Sequence, residues 1–494
     1  MNHAMRRKVP CPAAPPASLG SRGRAAALVA TSLLAGCAAF SPDSGMDAVQ
    51  AIVGPALNKD VAALLTPEEV DAARNVVVGL LARPLTADAA VQIALLNNRG
   101  LQAAYDELRL AEARRVGESL PPNPAISVSR IASRREIEIE GQVVASLLAL
   151  ATLPARSEIA AVRFRQAQLR AAEETLRVAA ETRRLYYRAV AARELAGFLE
   201  QAQSAADTAV KLAVRLGETG AMNKLDQARE QVFYAELTAQ LATARQRAAS
   251  EREALIRAMG LWGGDLAFRL PAALPPLPPR AQTLAAVEVE AVRRRVDLQI
   301  ARMELDALAR SYGLTQATRF VNLLEGGYAG KTTKDRERGE TIRERGFDLE
   351  LQVPIFDFGE VRVRQAEATY MQAVNRLTER AVNVRSQARD AYRLYRSTYD
   401  IAGHYRREVL PLRKIISDET LLRYNAMQID VFSLLAEARQ RIAATTAAIE
   451  AQRDFWLATT DLGVAVVGGG MPAGMSEGGQ SLRAPAEGSA AGAH

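Results

Sequence analysis

Residues 347–360 read FDLELQVPIFDFGE and contain a change of periodicity. The first nine positions alternate between apolar and other residues, and the apolar members are Phe347, Leu349, Leu351, Val353 and Ile355. A period of two predicts a β-strand with one apolar and one polar face. Asp357 and Glu360 then have the D-x-x-E spacing of a capping box, which predicts a helix with Asp357 as its N-cap.

The helix that follows is long for a compact domain. Apolar residues from Ala366 to Tyr395 recur with a mean spacing of about 3.6, the period of an amphipathic helix. No glycine occurs after Gly359 until Gly403, and no proline until Pro411. A helix of about 60 residues would be roughly 90 Å long. Such a length predicts a coiled coil, a rod or a tube.

Strand-like segments also surround this stretch and recur earlier in the chain. Phe320–Tyr328 is the predicted partner strand, and the charged segment Lys331–Glu344 is the predicted hairpin loop. In the first half, Ala125–Ile131 and Ile137–Leu150 predict a second hairpin with its turn near residues 133–135. Strands of about 9–11 residues with one apolar face suit a membrane-spanning sheet. The alternative is a half-buried sheet in a soluble protein.

The two halves of the chain resemble each other. Tyr186 and the pair Ala196-Gly197 match Tyr392 and the pair Ala402-Gly403 at an offset of 206, and Leu101-Gln102 matches Leu298-Gln299 at an offset of 197. A period of this length predicts two duplicated domains. The alternative is a helical, alanine-rich bias shared by both halves.

These patterns divide the chain into six segments. Five prolines between residues 271 and 279 predict an extended linker, and the glycine-, alanine- and serine-rich end predicts a disordered tail. The segments are a leader (1–36), an N-terminal extension (37–84), a first repeat (85–262), a proline-rich linker (263–280), a second repeat (281–466) and a tail (467–494).

The leader has the features of a secretory signal. Five basic residues accompany the apolar run Ala25–Leu34, which is too short to span a bilayer. Leu34-Ala35-Gly36-Cys37 resembles the lipobox of bacterial lipoproteins, and this resemblance implies a mature chain that begins at an acylated Cys37. An ordinary signal followed by a chance cysteine is the alternative. Whether Met1 or Met5 is the start stays open.

Composition argues against several classes of function. Without residues 1–36, which hold five of the 63 basic residues and no acidic one, the net charge falls from +7 to +2, so nucleic acid is not expected as a partner. The two cysteines are Cys11 and Cys37, which leaves none for a disulfide in the mature chain. Only three histidines occur, so no zinc or copper site and no cofactor other than the lipid on Cys37 is expected.

Each half thus follows the order helix, hairpin, long helix, long helix. Two such halves behind a lipobox resemble the TolC-type outer-membrane efflux proteins over Leu85–Val466. Leu147–Arg156 and Arg423–Arg439 look closest to the outer-membrane subunits of cation-efflux systems. The resemblance implies a mainly α fold with a small membrane β-barrel. It also implies a homotrimer with four strands per subunit in one shared 12-strand barrel, and long α-hairpins that form a tunnel across the periplasm.

The resemblance also implies which residues meet partners. The family's helix-to-helix turns contact a periplasmic adaptor, and here they are Val214–Gly217 and Tyr424–Met427. The contact residues carried over are Arg215, Leu216, Gly217, Arg423, Tyr424, Asn425 and Met427. The fourth position of this turn is often glycine, which Gly217 keeps and Met427 does not. The alternative is that both are solvated helical turns.

Two further assignments follow from the same resemblance. The apolar face of the strand that starts at Phe347 would meet outer-membrane lipid. Glu437 matches one acidic residue of the family's lumenal gate, while Leu434 stands where another would be. Because only one of the two gate positions is acidic, a solvated surface glutamate is the favoured interpretation at position 437, and the gate is the alternative.

The function predicted from the sequence is that of an exit duct. It would lie in the outer membrane of a Gram-negative bacterium and conduct substrates passively from an inner-membrane pump and a periplasmic adaptor. The alternative is an adaptor or scaffold lipoprotein with long coiled-coil hairpins. An enzyme is not expected, because the sequence has no G-x-S-x-G or H-E-x-x-H motif. The exported substrate stays open.

Overall fold

The computed structural model describes residues 40–220, 222–283 and 286–470. Residues 1–41 and 42–494 are two separate units, and every element named below belongs to the second. The leader, Cys37 and nearly all of the predicted tail lie outside the described residues.

The described elements repeat in order along the chain. The N-terminal extension holds α1 (Met46–Leu57) and α2 (Pro67–Leu81). The first half consists of α3 (Ala87–Asn97), α4 (Arg99–Ser119), β1 (Ala125–Ala132), β2 (Glu136–Ser146), the short α5 (Leu147–Ala151), α6 (Leu153–Glu218) and α7 (Lys224–Met259). The second half consists of α8 (Val287–Arg294), α9 (Val296–Ala317), β3 (Leu323–Asp335), β4 (Thr341–Gln352), α10 (Glu360–His404), α11 (Leu410–Asn425) and α12 (Val431–Val467).

The prediction of very long helices is confirmed. Helix α6 has 66 residues, which corresponds to a length of about 100 Å. In the second half, α10, a π-helical turn (Tyr405–Val409) and α11 have 45, 5 and 16 residues and together match α6. The π turn precedes Pro411, whose ring and missing N–H disturb the ordinary ladder. Leu410 N–H accordingly bonds to the carbonyl of Tyr405, five residues back.

The predicted cap of α10 is wrong. The helix begins at Glu360, and its N-cap is Gly359 with φ of +73°. The Asp357 carboxylate accepts a hydrogen bond from Gly359 N–H at 3.1 Å, so it stabilises the turn that precedes the helix. A side chain at position 359 would collide with the carbonyl of Arg319, and this close approach together with the left-handed backbone explains the glycine.

The two hairpins form a single antiparallel sheet in the order β1-β2-β3-β4. This confirms a mainly helical fold with four strands per chain. The prediction that Lys331–Glu344 is a loop is wrong, because both strands continue through it and only residues 336–340 connect them. Lys331 pairs with Glu344 across the strands, and its ammonium lies 2.9 Å from Glu138. On a sheet with two accessible faces, charged residues are compatible with a strand.

The strands also end earlier than predicted. Strand β2 stops at Ser146, whose hydroxyl caps α5, so Leu147–Ala151 is helical. Strand β4 stops at Gln352, which leaves Val353 and Ile355 outside it. Pro354 has no N–H for a ladder and so favours the end of the strand.

Several other helices of the chain pack around α6. Helices α4 and α9 contact its N-terminal part, near the strands, and α7 contacts its C-terminal part. Tyr105 of α4 is buried and lies 3.0 Å from the hydroxyl of Thr175 on α6. Arg184 of α6 reaches Asp461 of α12 at 2.6 Å and so connects the two halves. None of the helices in the described part of the chain combines the length and the apolar character that a transmembrane helix requires.

The proline-rich linker runs across the helices in a mainly extended conformation and contacts α6 and α12. Its Leu274 is buried, and the Leu274 N–H donates to Glu194 on α6 at 2.8 Å. The carbonyl of Pro275 accepts a hydrogen bond from the Trp456 indole on α12 at 3.0 Å. The segment thus holds both halves together.

Candidate functional site

The strand register gathers apolar side chains into one row across the whole sheet. The row consists of Ile126, Val143, Tyr328 and Phe347, one residue from each strand. The rings of Tyr328 and Phe347 lie 5.4 Å apart between centroids. Phe347 is 91% exposed, so the described residues leave this end of the row almost uncovered.

The opposite face of the sheet is polar. A neighbouring row there consists of Ser129, Glu140, Lys331 and Glu344. In these rows the sheet places apolar side chains on one face and charged side chains on the other, while Arg345 and Arg343 continue the Phe347 face toward the hairpin turn. This is the arrangement that a strand between lipid and water requires.

Only three of the five predicted lipid-facing residues lie in the strand. Phe347, Leu349 and Leu351 belong to β4, whereas Val353 and Ile355 lie in the turn that leads to α10. All five are exposed, and so are the adjacent Phe356 and Phe358, which the sequence analysis missed. The run of apolar residues after Pro354 is the signal that could have found them.

The first helical tip connects α6 to α7 through residues 219–223. Arg215, Leu216 and Gly217 lie before the connection, in the last turn of α6. Their carbonyl oxygens accept hydrogen bonds from later backbone N–H groups. The respective donors are Thr219 at 3.2 Å, Met222 at 3.1 Å and Gly220 at 3.1 Å. These predicted contact residues thus build the turn through their backbone.

Gly217 lies against the end of a flexible side chain. The terminal amide of Gln227 on α7 occupies the space that a Cβ at position 217 would need. Gln227 also donates a hydrogen bond to the carbonyl of Met222 at 3.1 Å. A larger residue at position 217 would displace this amide and break its bond to Met222.

The second tip presents an apolar side chain. Arg423, Tyr424 and Asn425 end α11, and Met427 lies in the connection to α12 with 94% of its surface exposed. Met427 has φ of +57°, a left-handed conformation that costs a side-chain-bearing residue about 1–2 kcal/mol. Its N–H donates to the carbonyl of Tyr424 at 2.9 Å.

The helix starts show which tip residues correspond. α6 and α10 begin 207 residues apart, and so do α7 and α12. At this offset Met427 corresponds to Gly220, which also has positive φ, at +76°. Gly217 instead corresponds to Tyr424. The sequence comparison of Gly217 with Met427 was therefore out of register, since only the backbone conformation identifies the left-handed position.

Glu437 is not a solvated surface glutamate. Its side chain is 11% exposed, and one carboxylate oxygen lies 3.2 Å from Arg413 on α11. The other oxygen is buried and has no hydrogen-bond partner among the described residues. Leu434 lines the same cavity, of about 380 Å³, between α6, α7, α11 and α12. The ion pair between Glu437 and Arg413 joins α11 to α12 a few helical turns from the second tip.

A second buried carboxylate lines this cavity. Glu230 of α7 is 3% exposed, and one of its oxygens is also without a partner among the described residues. Burial raises the pKa of the Glu230 carboxyl, against an opposing effect of Arg439. The burial of Glu230 was not predicted from the sequence, although Glu230 falls on the same helical stripe as the buried Phe233 and Leu237.

The raised pKa of Glu230 gives a test. A carboxyl whose pKa is higher in the folded state contributes stability at low pH that is lost as the pH rises through the folded-state pKa. Glu230→Gln removes the buried charge, so we expect a higher melting temperature than wild type at pH 7 and a smaller difference at pH 5. Thermal unfolding of the purified protein at both pH values measures this.

Glu253→Gln is the matched control, because Glu253 is exposed and lies about 35 Å from Glu230 along the same helix. The control should show no such pH-dependent difference. A Glu230→Gln protein that is less stable than wild type at pH 7 would contradict the assignment of a buried charge.

The described residues contain no group of three or more histidine, cysteine, aspartate or glutamate side chains arranged to hold a metal ion.

The chain matches known proteins by sequence in one region. Residues 288–410 match the family model of the outer membrane efflux protein. This region runs from α8 through the second hairpin to the start of α11. No curated protein matches the chain.

Solved structures share the fold over most of the chain. One is CusC, whose crystal structures describe the conformational changes that accompany folding and transmembrane channel formation. It is 16% identical to this chain with a TM-score of 0.64, and the match covers 78% of this chain and 92% of CusC. The CmeC outer membrane channel of Campylobacter jejuni has 15% identity and a TM-score of 0.61, over 78% and 86%. The open MtrE outer membrane channel of Neisseria gonorrhoeae has 17% identity and a TM-score of 0.62, over 77% and 88%. The chain therefore contains a segment that matches the outer membrane efflux protein family, and over about three quarters of its length it shares the fold of these solved channels.

Proposed function

We propose that this protein is the outer-membrane exit duct of a tripartite efflux system and conducts its substrates passively. One observation carries the proposal: a sheet with one apolar and one polar face continues into helices of about 100 Å that end in exposed turns. Such a molecule can lie in a membrane at one end and meet a soluble partner at the other. Conduction through it requires no catalytic residues.

The sheet supports a homotrimer. Strands β1 and β4 are the edges of the sheet, and each leaves one row of backbone N–H and C=O groups without a strand partner. Such edges are costly in lipid, and four strands are too few to close a barrel. Three copies joined edge to edge would supply 12 strands and leave no open edge.

The helical tips support an adaptor at the far end. Both tips expose backbone and side chains about 100 Å from the strands, and an inner-membrane pump would act through the adaptor. We propose that Arg413 and Glu437 form a latch that holds α11 against α12 near the second tip. In this proposal Glu437 is a buried ion-pair partner and not a solvated surface residue, and such a residue could also belong to a gate.

Lipidation of Cys37 supplies a second attachment in this proposal. Mass spectrometry of the mature N-terminus is expected to show an acylated Cys37, and Cys37→Ser to abolish the acyl mass. A mature chain that starts at Ala38, or one that keeps the leader, would contradict the lipobox assignment.

The Cys37→Ser protein also tests the duct itself. If the sheet lies in the membrane, the variant should remain in the outer membrane as a trimer after alkaline extraction, because the barrel strands by themselves would hold it in the lipid. An adaptor or scaffold held by lipid alone would be released. Release of Cys37→Ser as a soluble monomer would therefore overturn the duct and favour the adaptor.

A further inference from the structure

Arginine recurs every seven residues along one stripe of α6. The stripe consists of Arg156, Arg163, Arg170, Arg177 and Arg184. Seven residues make nearly two helical turns and advance about 10 Å, so successive members lie above one another. The outer members are paired, for example Arg156 with Glu118 at 2.9 Å and Arg184 with Asp461 at 2.6 Å.

The second and third members differ. Arg163 and Arg170 are exposed, and no carboxylate among the described residues forms an ion pair with either. The two guanidinium groups lie on one stripe about 10 Å apart, and Arg170 also lines a second groove that contains Glu107, Glu173 and Glu174.

Both arginines line a groove of about 550 Å³ between α4, α6 and α9. Arg114, Arg115 and Arg156 line it as well, and Ser311 contributes a hydroxyl. Glu118 is the one acidic residue of this lining, and it is already engaged by Arg156. Arg115 is also paired, with Glu112 at 3.6 Å, so Arg114, Arg163 and Arg170 give the groove its excess of positive charge, and its volume suits a small ligand.

A buried amide in the same groove lacks a partner. Gln166 is 6% exposed, and its Nε2 donor has no hydrogen-bond acceptor among the described residues. Gln166 lies between Arg163 and Arg170 in the sequence and lines the groove with them. The Nε2 atom is itself buried, so the Gln166 side chain would have to turn toward the groove to donate to an acceptor atom of a ligand.

The groove belongs to a single protomer. Helices α4 and α9 of the same chain pack on α6 and form its two sides, so another copy is not needed to complete it. It lies at the strand end of the helices, because α4 ends and α6 begins within a few residues of the first hairpin.

We propose that this groove binds a phosphoryl anion. Guanidinium groups present paired donors that match phosphate oxygens, and they keep their charge at any physiological pH. Arg163 and Arg170 would supply the charge, and the Gln166 amide would donate to a phosphate oxygen. The phosphoryl group could belong to free phosphate or to a lipid headgroup, since the groove lies near the strands.

Binding can be measured on the full-length purified protein in two arms. The first arm titrates inorganic phosphate, with chloride at matched ionic strength as the reference, and follows the melting temperature and the heat of binding. The second arm places the protein in nanodiscs of phosphatidylcholine with or without phosphatidylglycerol and measures retained lipid by native mass spectrometry. Binding in only one arm assigns the source of the phosphoryl group, and binding in neither arm overturns the proposal.

Arg163→Gln combined with Arg170→Gln should weaken binding by about 10- to 100-fold, the usual effect of losing charge-assisted hydrogen bonds. Arg165→Gln is the matched control, because Arg165 is exposed on the same helix and does not line the groove. Equal weakening by the control would indicate nonspecific attraction and overturn the site. Loss of trimers in the double variant, with no phosphate bound by wild type, would instead assign the arginines to contacts between copies.

Gln166→Leu gives a test that does not depend on charge. It removes the unpartnered amide at similar volume, so the ligand-free protein should be at least as stable as wild type, while phosphate should no longer raise its melting temperature. Unchanged phosphate binding by Gln166→Leu would contradict the proposed role of the amide.

Discussion

Phe347→Arg is expected to prevent most of the protein from assembling in the outer membrane. Phe347 lies near the middle of β4 in the apolar row that crosses all four strands, and it is 91% exposed in one protomer. An arginine on the lipid side near the bilayer midplane costs about 2–4 kcal/mol. The measurement is the amount of heat-resistant trimer in outer-membrane fractions, compared at equal expression.

Gly346→Arg is the control for this result. It adds the same charge at the same depth but on the polar face, where a new Cβ meets no atom within 4 Å. Phe347→Leu keeps the face apolar and should assemble nearly normally. If Gly346→Arg impaired assembly as much as Phe347→Arg, the sheet would not separate lipid from water.

Met427→Gly is expected to reduce export strongly while leaving trimers intact. The left-handed backbone at position 427 suits glycine, so the substitution removes an exposed side chain and relieves about 1–2 kcal/mol of strain. Burying a methionine against a partner contributes roughly 1.5–3 kcal/mol, so its loss should weaken adaptor docking by about tenfold or more. Export from intact cells and co-purification of the adaptor are the measurements.

Two further substitutions at this position separate backbone from side chain. Met427→Asn tolerates the left-handed conformation but is polar, and it should lose export as Met427→Gly does. Met427→Leu keeps an apolar side chain and should retain most of the export. Normal export by Met427→Gly would show that this tip does not dock through Met427, and the contact would then have to lie along the sides of the helices.

Local periodicity was sufficient to predict most of the fold. The alternation that starts at Phe347 and the helical spacing from Ala366 to Tyr395 each correspond to a regular element. Because both signals come from which face of an element is apolar, they are present in the sequence before any tertiary contact forms. Element ends were less well predicted: Asp357 does not cap α10, and the strands extend into the charged segment 331–344.

Several features of the candidate sites could not be predicted in this way. Glu230 and Glu437 are polar residues whose burial depends on four helices that meet around one cavity. The correspondence of Met427 with Gly220 depends on backbone torsion, which neither side chain reveals. Burial and torsion at these positions are set by contacts between segments far apart in the chain.

The arginine stripe of α6 shows where the two kinds of information divide. Its seven-residue spacing is visible in the sequence, and helix geometry alone aligns the five side chains on one stripe. Which members are neutralised is a tertiary property, because Glu118 and Asp461 reach Arg156 and Arg184 from other helices and no carboxylate of the described residues reaches Arg163 or Arg170. Periodicity fixes the direction in which a side chain points along its own element, whereas its charge balance and burial depend on what other elements bring to that place.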